Sequence, residues 1–583
     1  MKWVLAEADE GAVAALAGAG LHPLIARLLV NRGILDPSDA RSFLSCDLSA
    51  LSAPGVFSQM ERAAERVRRA IASGEKIVVY GDYDVDGVTG TSLLYLALTR
   101  MGAAVESYIP DRMTEGYGLN NAALGSLKTA GAGLVISVDC GITAVREADH
   151  ARSLGLDLII TDHHEFTHPA SGTPDGDAVL PRAYAILHPA LTAPDVPGGI
   201  RTSVAGLTGV GVAFKLAQAL LGTDNGHTAS YLDLVTLGTV ADVGRITGEN
   251  RILVRHGLDL MSSDTGNSRP GIAALKRVSG LEGKKIGVGT VGFSLAPRIN
   301  ASGRLTRADT AFRLLTTESQ EEALKLAAAL DAVNRERQAV EESIREEARD
   351  ICRSTDAASA GAIVLSSDAW HPGVIGIVAS RMVEEFYRPT ALICIKNGVG
   401  KGSARSIPGF DLYEGLVACS DLLLGFGGHK YAAGFTIAKE HIDQFRKRLG
   451  AIVRERVGPS GFVRSLTVDG SVELSDLTLD LMRELDRLAP YGQGNPEPRL
   501  GARDLEVLSS RVVGSNHLKM RLKQGAGTPL GAIAFNRGDL LGKKVRDGAR
   551  LAAVFTPKVN AWNGTTSIEL EIRDIKTDRD NSK

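Results

Sequence analysis

The stretch from Lys76 to Gly90 reads KIVVYGDYDVDGVTG: an apolar run, then Asp82, Asp84 and Asp86 at alternate positions, closed by a glycine. Carboxylates this close repel one another and raise each other's pKa unless a positive charge sits among them, so a bound cation is the first chemistry to consider. DxDxDG also opens an EF-hand calcium loop. With Asp82 in the first place, however, the twelfth place, which needs a bidentate Glu, is Leu93. The preceding IVVY is a strand pattern and not an EF-hand helix, so calcium is rejected.

Acids and histidines recur behind other apolar runs. LVISV runs into Asp139, LDLIIT runs into Asp162, His163 and His164, and Asp242 follows the apolar stretch in LVTLGTVADVG. In an open parallel sheet, ligands bind beyond the carboxyl ends of the strands. One Asp after a strand is ordinarily a helix N-cap, and one His a surface or satisfied core residue. Three strand ends loaded in a single sheet are poorly explained by caps. Carboxylates and imidazoles without thiolate suit Mn²⁺ or Mg²⁺. The set exceeds the needs of one ion that must keep positions open for water and substrate. Two ions about 3.5 to 4 Å apart, sharing one carboxylate, would use it, and that arrangement serves in-line phosphoryl displacement. The metals would acidify a water and neutralise charge on phosphate oxygens, which points to a phosphoesterase.

The elements that must position these residues belong to a chain of 583 residues, 44% hydrophobic and 23% charged, room for roughly three or four domains. Cys46, Cys140, Cys352, Cys394 and Cys419 lie far apart with no CxxC pair, which excludes a cysteine-based zinc site and fits a reducing compartment. The start, MKWVLAEADEG, shows neither a signal peptide nor a membrane anchor, so the expectation is a cytoplasmic protein without membrane association. A net charge of −2 does not advertise nucleic-acid binding, although acidic metal ligands and the acidic run EEALKLAAALDAVNRERQAVEESIREEARD can cancel basic surfaces elsewhere.

The pattern predicts an α/β multidomain chain. An N-terminal helical segment (1–75) precedes a parallel-sheet domain (76–316), in which KIVVY, AVESYIP, GLVISVD and LDLIITD alternate with helical patterns. A linker helix (317–353) about 50 Å long at 1.5 Å per residue follows. After it come a second α/β domain (354–461) and an all-β tail (462–583), whose best hairpin signal is Asn563-Gly564 between alternating runs.

DYDVDG, SVDCGI, TDHHE and GTVADV, in that order, resemble the four motifs of the DHH phosphoesterase superfamily. Downstream, LAPRINASGR, NRERQ, WHPGVIGIVASR, KGSARS, FGGHKYAAG and LAPYGQGNPEP resemble the bacterial RecJ family of 5'-to-3' single-stranded-DNA exonucleases, so the resemblance spans about Lys76 to Pro498. It implies a DHH domain, a DHHA1 domain and a C-terminal OB fold. It implies metal ligands at Asp84, Asp86, Asp139, His163 and Asp242, with Asp139 the bridge between two Mn²⁺ or Mg²⁺ ions. Asp82 would bind metal or support its ligands, and His164 would orient the site or contact phosphate. Ser403, Arg405, Gly427, Gly428 and His429 are candidates to hold a terminal phosphate, with His371 beside them and Arg298, Asn300 and Arg304 along the strand path. The tail would bind single strands on a basic groove and on Phe462, Tyr491, Phe535, Phe555 and Trp562, helped by the clusters KMRLK and GKKVR.

The function this implies is release of 5'-mononucleotides from single-stranded DNA in repair and recombination, by a monomer. The family adds a single-stranded-DNA-binding protein and a helicase as expected partners. Two other readings are a phosphodiesterase for short oligonucleotides or cyclic dinucleotides, and a non-catalytic replication scaffold. The first lacks the long helix and tail seen here, and the second has lost ligands that are all present here.

Overall fold

The computed structural model describes residues 1–577 apart from 113, 167–178, 223–225, 264–267, 356–359 and 563. A short strand, β1 (Lys2–Leu5), precedes the helices Glu10–Gly18, Pro23–Val30 and Pro37–Ser45. Then comes a parallel sheet of β2 (Lys76–Gly81), β3 (Val105–Tyr108), β4 (Ala132–Val138), β5 (Asp157–Thr161) and β6 (Ala185–Leu187), in the order β3-β2-β4-β5-β6. The apolar runs form strands because both faces are covered by helices: Ile77, Val78, Val79 and Tyr80 are all fully buried. Strand β6 has only three residues, too short a run to announce itself in the sequence.

All carboxyl ends of this sheet point one way, and the helix Val85–Arg100 starts directly there, capped by Asp84. The apolar stretch before Asp242 is a buried helix, Leu232–Ala241, and not a strand. A continuous apolar run of that length fits either element, and here it packs against the helix Val85–Arg100.

The long helix runs from Gln320 to Ser354, and its 35 residues span about 52 Å. Ala323, Ala327 and Leu330 on its buried stripe join the core of the parallel-sheet domain, whereas Ile344, Ala348 and Cys352 join the core of the next. One rigid element therefore fixes both domains. The second sheet, β7 (Ile363–Ser367), β8 (Thr390–Lys396), β9 (Val399–Arg405), β10 (Leu423–Gly428) and β11 (Ala432–Ala438), is ordered β10-β11-β9-β8-β7, with only β7 and β8 parallel.

The tail contains β12 (Ser465–Val468), β13 (Gly470–Ser471), β14 (Leu500–Val513), β15 (His517–Gln524), β16 (Leu530–Ala534), β17 (Arg550–Trp562) and β18 (Thr565–Lys576). Pairing runs β14-β15-β16-β18-β17 and back to β14, a closed five-stranded barrel without free edges. Strands β17 and β18 pair down to Trp562 and Thr565, although Asn563 itself lies outside the described residues.

The span 1–75 does not pack as one unit. Strand β1 pairs in parallel with β12, and Leu16, Ile25, Leu28 and Leu29 share a core with Leu500, Leu505, Leu518 and Phe555 of the barrel. The helix Met60–Ala72 instead buries Met60, Ala63, Val67 and Ala70 in the parallel-sheet core. The two ends of the chain thus meet, and LAPYGQGNPEP is where they are pinned. Buried Arg251 donates to the carbonyls of Phe43 (2.6 Å), Arg487 (2.8 Å) and Ala489 (2.8 Å). Buried Asn495 donates to Leu488 and Pro490 and accepts from Arg32 Nε at 2.7 Å. Leu29→Ala should therefore destabilise the distant barrel, by about 2 to 5 kcal/mol. Hydrogen exchange should quicken across β14–β18, and unchanged barrel protection would contradict the shared core.

Candidate active site

Three backbone features bring the acids together. Asp84 is the N-cap of the helix Val85–Arg100 and accepts from Gly87 N–H at 3.0 Å. Asp86, in the first turn of that helix and 1% exposed, accepts from the N–H groups of Gly209 (2.7 Å) and Val210 (2.9 Å), the start of another helix. The positive ends of two helices therefore face the site. Asp139 follows β4 in the left-handed region, φ +62°, and its carboxylate stands among those of Asp82 and Asp84. A Cβ on Gly209 would lie 2.6 Å from Asp139 Cβ, so only glycine lets these segments approach.

The resulting cluster holds Asp82, Asp84, Asp86, Asp139, His163 and Asp242. Ligand atoms of Asp82, Asp84 and Asp139 lie within 4.8 Å of one another, as do those of Asp86, His163 and Asp242. His163 Nε2 stands 3.1 Å from Asp139 Oδ1, 3.7 Å from Asp242 Oδ2 and 3.8 Å from Asp86 Oδ2. Burial, reinforced by neighbouring carboxylates, holds Asp82, Asp86 and Asp139 well above the usual range, and raises Asp242 to about 7. Asp242 also sits at a helix C-terminus, where the dipole disfavours an anion. Among the described residues Asp82 Oδ1 is buried without a hydrogen-bond partner, and Asp139 Oδ1 and His163 Nε2, although 3.1 Å apart, are buried and not aligned for a hydrogen bond. The donor set therefore fits a divalent cation: oxygen and imidazole ligands, orphaned lone pairs and excess negative charge.

The histidines divide. Burial and the neighbouring His164 lower His163 to about 4, leaving it neutral and suited to ligation. His164 Nδ1 is bound to Asp162 Oδ1 at 2.8 Å, and that contact overcomes burial to raise His164 to about 9. Asp162, 1% exposed, also accepts from the N–H groups of Ile142, His163 and His164; although burial opposes its ionisation, these bonds and His164 hold it at about 2.

Across the cleft lies a cavity of about 430 Å³, lined by Arg112, Lys401, Ser403, Phe426 and Gly427. Arg405 donates to Ser403 Oγ at 3.2 Å and has no carboxylate partner among the described residues. Arg304 donates to Gly373 O at 3.0 Å, and burial with nearby Arg112, Arg337 and Arg405 lowers it to about 10. His429 Nδ1 lies 3.4 Å from Glu165 Oε2, so the glycine-rich turn of the second domain touches the TDHHE segment of the first.

Other predicted residues have structural duties. Arg298 is turned into an ion pair with Asp331 at 2.9 Å and hydrogen-bonds Ser294 O, so its guanidinium is already occupied. Asn300 is half-buried on the helix Ala296–Leu305. His371 Nδ1 accepts from Gly373 N–H at 3.1 Å, closing a turn. Gly428, at φ +142°, packs against Ala433 in the β10–β11 turn and does not line the cavity. In the tail, Phe555 is fully buried, Tyr491 is largely buried with its hydroxyl on Leu485 O, and Phe462 packs into the second domain beneath Arg388 at 3.9 Å. Phe535, 50% exposed, is the ring in place for stacking; the Trp562 side chain lies outside what is described.

Sequence reasoning missed Arg112 and Tyr117. Both lie in the loop that follows β3, so the rule of strand carboxyl ends, applied to IPDR, would have found the first. The Tyr117 hydroxyl donates to Asp139 O at 3.1 Å and stands 3.3 Å from His164 Nδ1.

Carboxylates at the strand ends, a cavity between Arg112 of the first domain and Lys401, Ser403 and Gly427 of a second α/β domain, and a closed barrel together define a DHH phosphoesterase with an appended nucleic-acid-type barrel. The chain matches the DHH family N-terminal domain over residues 76–239, the DHHA1 domain over 359–455 and the RecJ OB domain over 468–574. It is 39% identical to the single-stranded-DNA-specific exonuclease RecJ of Bacillus subtilis, covering 98% of this chain and 70% of that one. With the Escherichia coli protein of the same name it shares 35% identity, over 96% of each. The crystal structure of Thermus thermophilus RecJ in complex with Mn²⁺ superposes with a TM-score of 0.80 at 32% identity, covering 99% of this chain and 79% of that one. The chain belongs to the RecJ family.

Asp242 sets a test of the electrostatics. Its raised folded pKa means that its contribution favours the fold below the unfolded value of about 4 and is lost as pH rises through about 7. In chelator, the wild-type melting temperature should therefore fall more steeply over that window than that of Asp242→Asn, and Mn²⁺ should restore it. Identical slopes in the two proteins would refute the assignment.

Proposed function

We propose that this chain is a 5'-to-3' exonuclease that degrades single-stranded DNA to 5'-mononucleotides, acting as a cytoplasmic monomer in repair and recombination. The observation that carries the reading is the pairing, across one cleft, of the carboxylate and histidine cluster with Arg112, Arg304 and Arg405, whose charges lack carboxylate partners among the described residues. One chain supplies both sides, and family membership supplies the substrate class.

Asp84, Asp86, Asp139, His163 and Asp242 would hold the divalent cations, with Asp139 between the two groups and Asp82 beside it. Mn²⁺ or Mg²⁺ bound there supplies Lewis-acid activation of water and of the phosphate. The remaining work belongs to the chain. Asp162 fixes the His164 ring and keeps it protonated, so that Nε2, on a side chain 38% exposed, can donate to a phosphate oxygen. Ser403, Arg405 and Arg304 bind the terminal phosphate and set how far the strand advances. The barrel, carrying Phe535 and the KMRLK lysines, retains the strand further along. The expected single-stranded-DNA-binding protein and helicase would supply unwound ends.

A centre nearly symmetric about phosphorus cannot tell one end of a strand from the other. Polarity must come from the arginine side. A charge-assisted contact there is worth roughly 1.5 to 3 kcal/mol, about tenfold to a hundredfold in affinity for a phosphorylated end. With 5'- and 3'-labelled strands, mononucleotides should appear from the 5' end, 5'-phosphorylated strands should be preferred, and Arg405→Ala should shrink that preference more than it lowers kcat. Digestion from the 3' end would sink the reading. Asp139→Ala should abolish hydrolysis while the fold survives, as judged by circular dichroism. Near-normal turnover at saturating Mn²⁺ would overturn its role.

A further inference from the structure

The opposite end of the same sheet carries a second basic site. Where β5 begins, a cavity of about 340 Å³ is lined by Arg62, Arg152, Arg182, Tyr184 and the backbone around Gly155. The five residues of β5 separate it from the Asp162–His164 end by about 17 Å, with the sheet between. Arg62 covers the Tyr184 ring at 4.7 Å, so the tyrosine holds that guanidinium at the wall, and Arg69, outside the lining, hydrogen-bonds the Tyr184 hydroxyl.

The carboxylate in that wall, Asp157, is held by an arginine that it shares with Glu75. Arg66, 7% exposed, donates to Asp157 at 2.6 Å and in a fork to Glu75 at 2.8 and 2.9 Å. Among the described residues none of Arg62, Arg69, Arg152 and Arg182 has a carboxylate partner. The three arginines of the lining outnumber its one carboxylate and repel each other unless a further anion lies between them. Guanidinium forks match phosphate oxygens in pairs. The volume falls near the lower end of the range for small-ligand sites, about 300 to 1,000 Å³, and is roomy for a lone phosphate.

We propose that this cavity binds the diphosphate group of a small ligand, either free pyrophosphate or a nucleoside di- or triphosphate. A DNA strand is disfavoured as occupant because the hollow is concave and lies at the far end of the sheet from the cleft. The proposal does not rest on the exonuclease reading.

The test is calorimetric titration of the full chain in chelator with inorganic pyrophosphate and, separately, with ATP. Wild type is compared with the double variant Arg152→Ala/Arg182→Ala, whose side chains are exposed and outside the cleft, and with Arg405→Ala, which removes the competing arginine of the cleft. The double variant should bind at least tenfold more weakly while digesting single-stranded DNA at the wild-type rate, and Arg405→Ala should bind as wild type does. Tighter binding of ATP would identify a nucleotide as the source and equal binding a free polyphosphate; either supports the site. No saturable heat at millimolar ligand, or loss of binding in Arg405→Ala alone, would overturn it.

Discussion

Repulsion among buried carboxylates is the constraint on which this molecule depends. Asp82, Asp86 and Asp139 are each at most 3% exposed and stand beside Asp84 and Asp242, an arrangement that opposes folding when all are ionised and no cation is present. The fold tolerates it because backbone dipoles share the load. Two helices begin at the cluster, and the N–H groups of Gly209 and Val210 bond directly to Asp86. Asp162, held at about 2, is satisfied by the N–H of Ile142 and by His164 and so stands apart from the carboxylates of the cluster. A carboxylate with all its partners is a poor ligand, and one with an orphaned oxygen is a good one. That difference separates Asp162 from Asp82 and Asp139, although all three follow strands.

The rest of the architecture holds a second domain at working distance from this cluster. The helix Gln320–Ser354 is packed into both α/β cores, so the cleft is bridged by a strut and not by a flexible linker. The barrel is tied back by the N-terminal helices that complete its core and by Arg251, which reaches from the parallel-sheet domain to Phe43, Arg487 and Ala489. An internal guanidinium that saturates three carbonyls is a better clamp than an apolar contact, because removing it leaves those carbonyls buried and unpaired.

What was legible in the sequence follows from this. The strand ends were legible because a strand with both faces buried is apolar along nearly all its length, so the first charged residue after the apolar run marks its end; Asp82, Asp139 and Asp162 all announce themselves that way. The environment of Asp242 was not, since a buried helix and a buried strand of ten residues have the same composition. Arg298 reads like Arg304, and only the partner thirty-three residues away, Asp331, separates an ion-paired arginine from an unpaired one. The union of the chain ends was invisible for the same reason: β1 and β12 are 463 positions apart in register, and nothing local in KWVL specifies SLTV. Phe555 illustrates the complement, an aromatic whose place in the alternating pattern fits a barrel wall but does not say which face is inside.

The arginine side of the cleft obeys the converse of the carboxylate rule. Arg405 and Arg304 are withdrawn from water, and burial lowers the pKa of both, so their charged forms are held in a setting that opposes them. Neither is given a carboxylate among the described residues, although Arg337, beside them, is given Glu341 and Asn334. The fold could have neutralised them in the same way and did not. On the function proposed above, an internal carboxylate would fill the place that a phosphate enters, and displacing it would weaken binding by the strength of the pair it broke. On the same reading, guanidinium groups left without a carboxylate keep that interaction for the substrate, as the orphaned carboxylate oxygens opposite keep it for a cation. The two halves of the cleft are each incomplete in opposite charge, and a phosphodiester bound with divalent cations is the species that completes both at once.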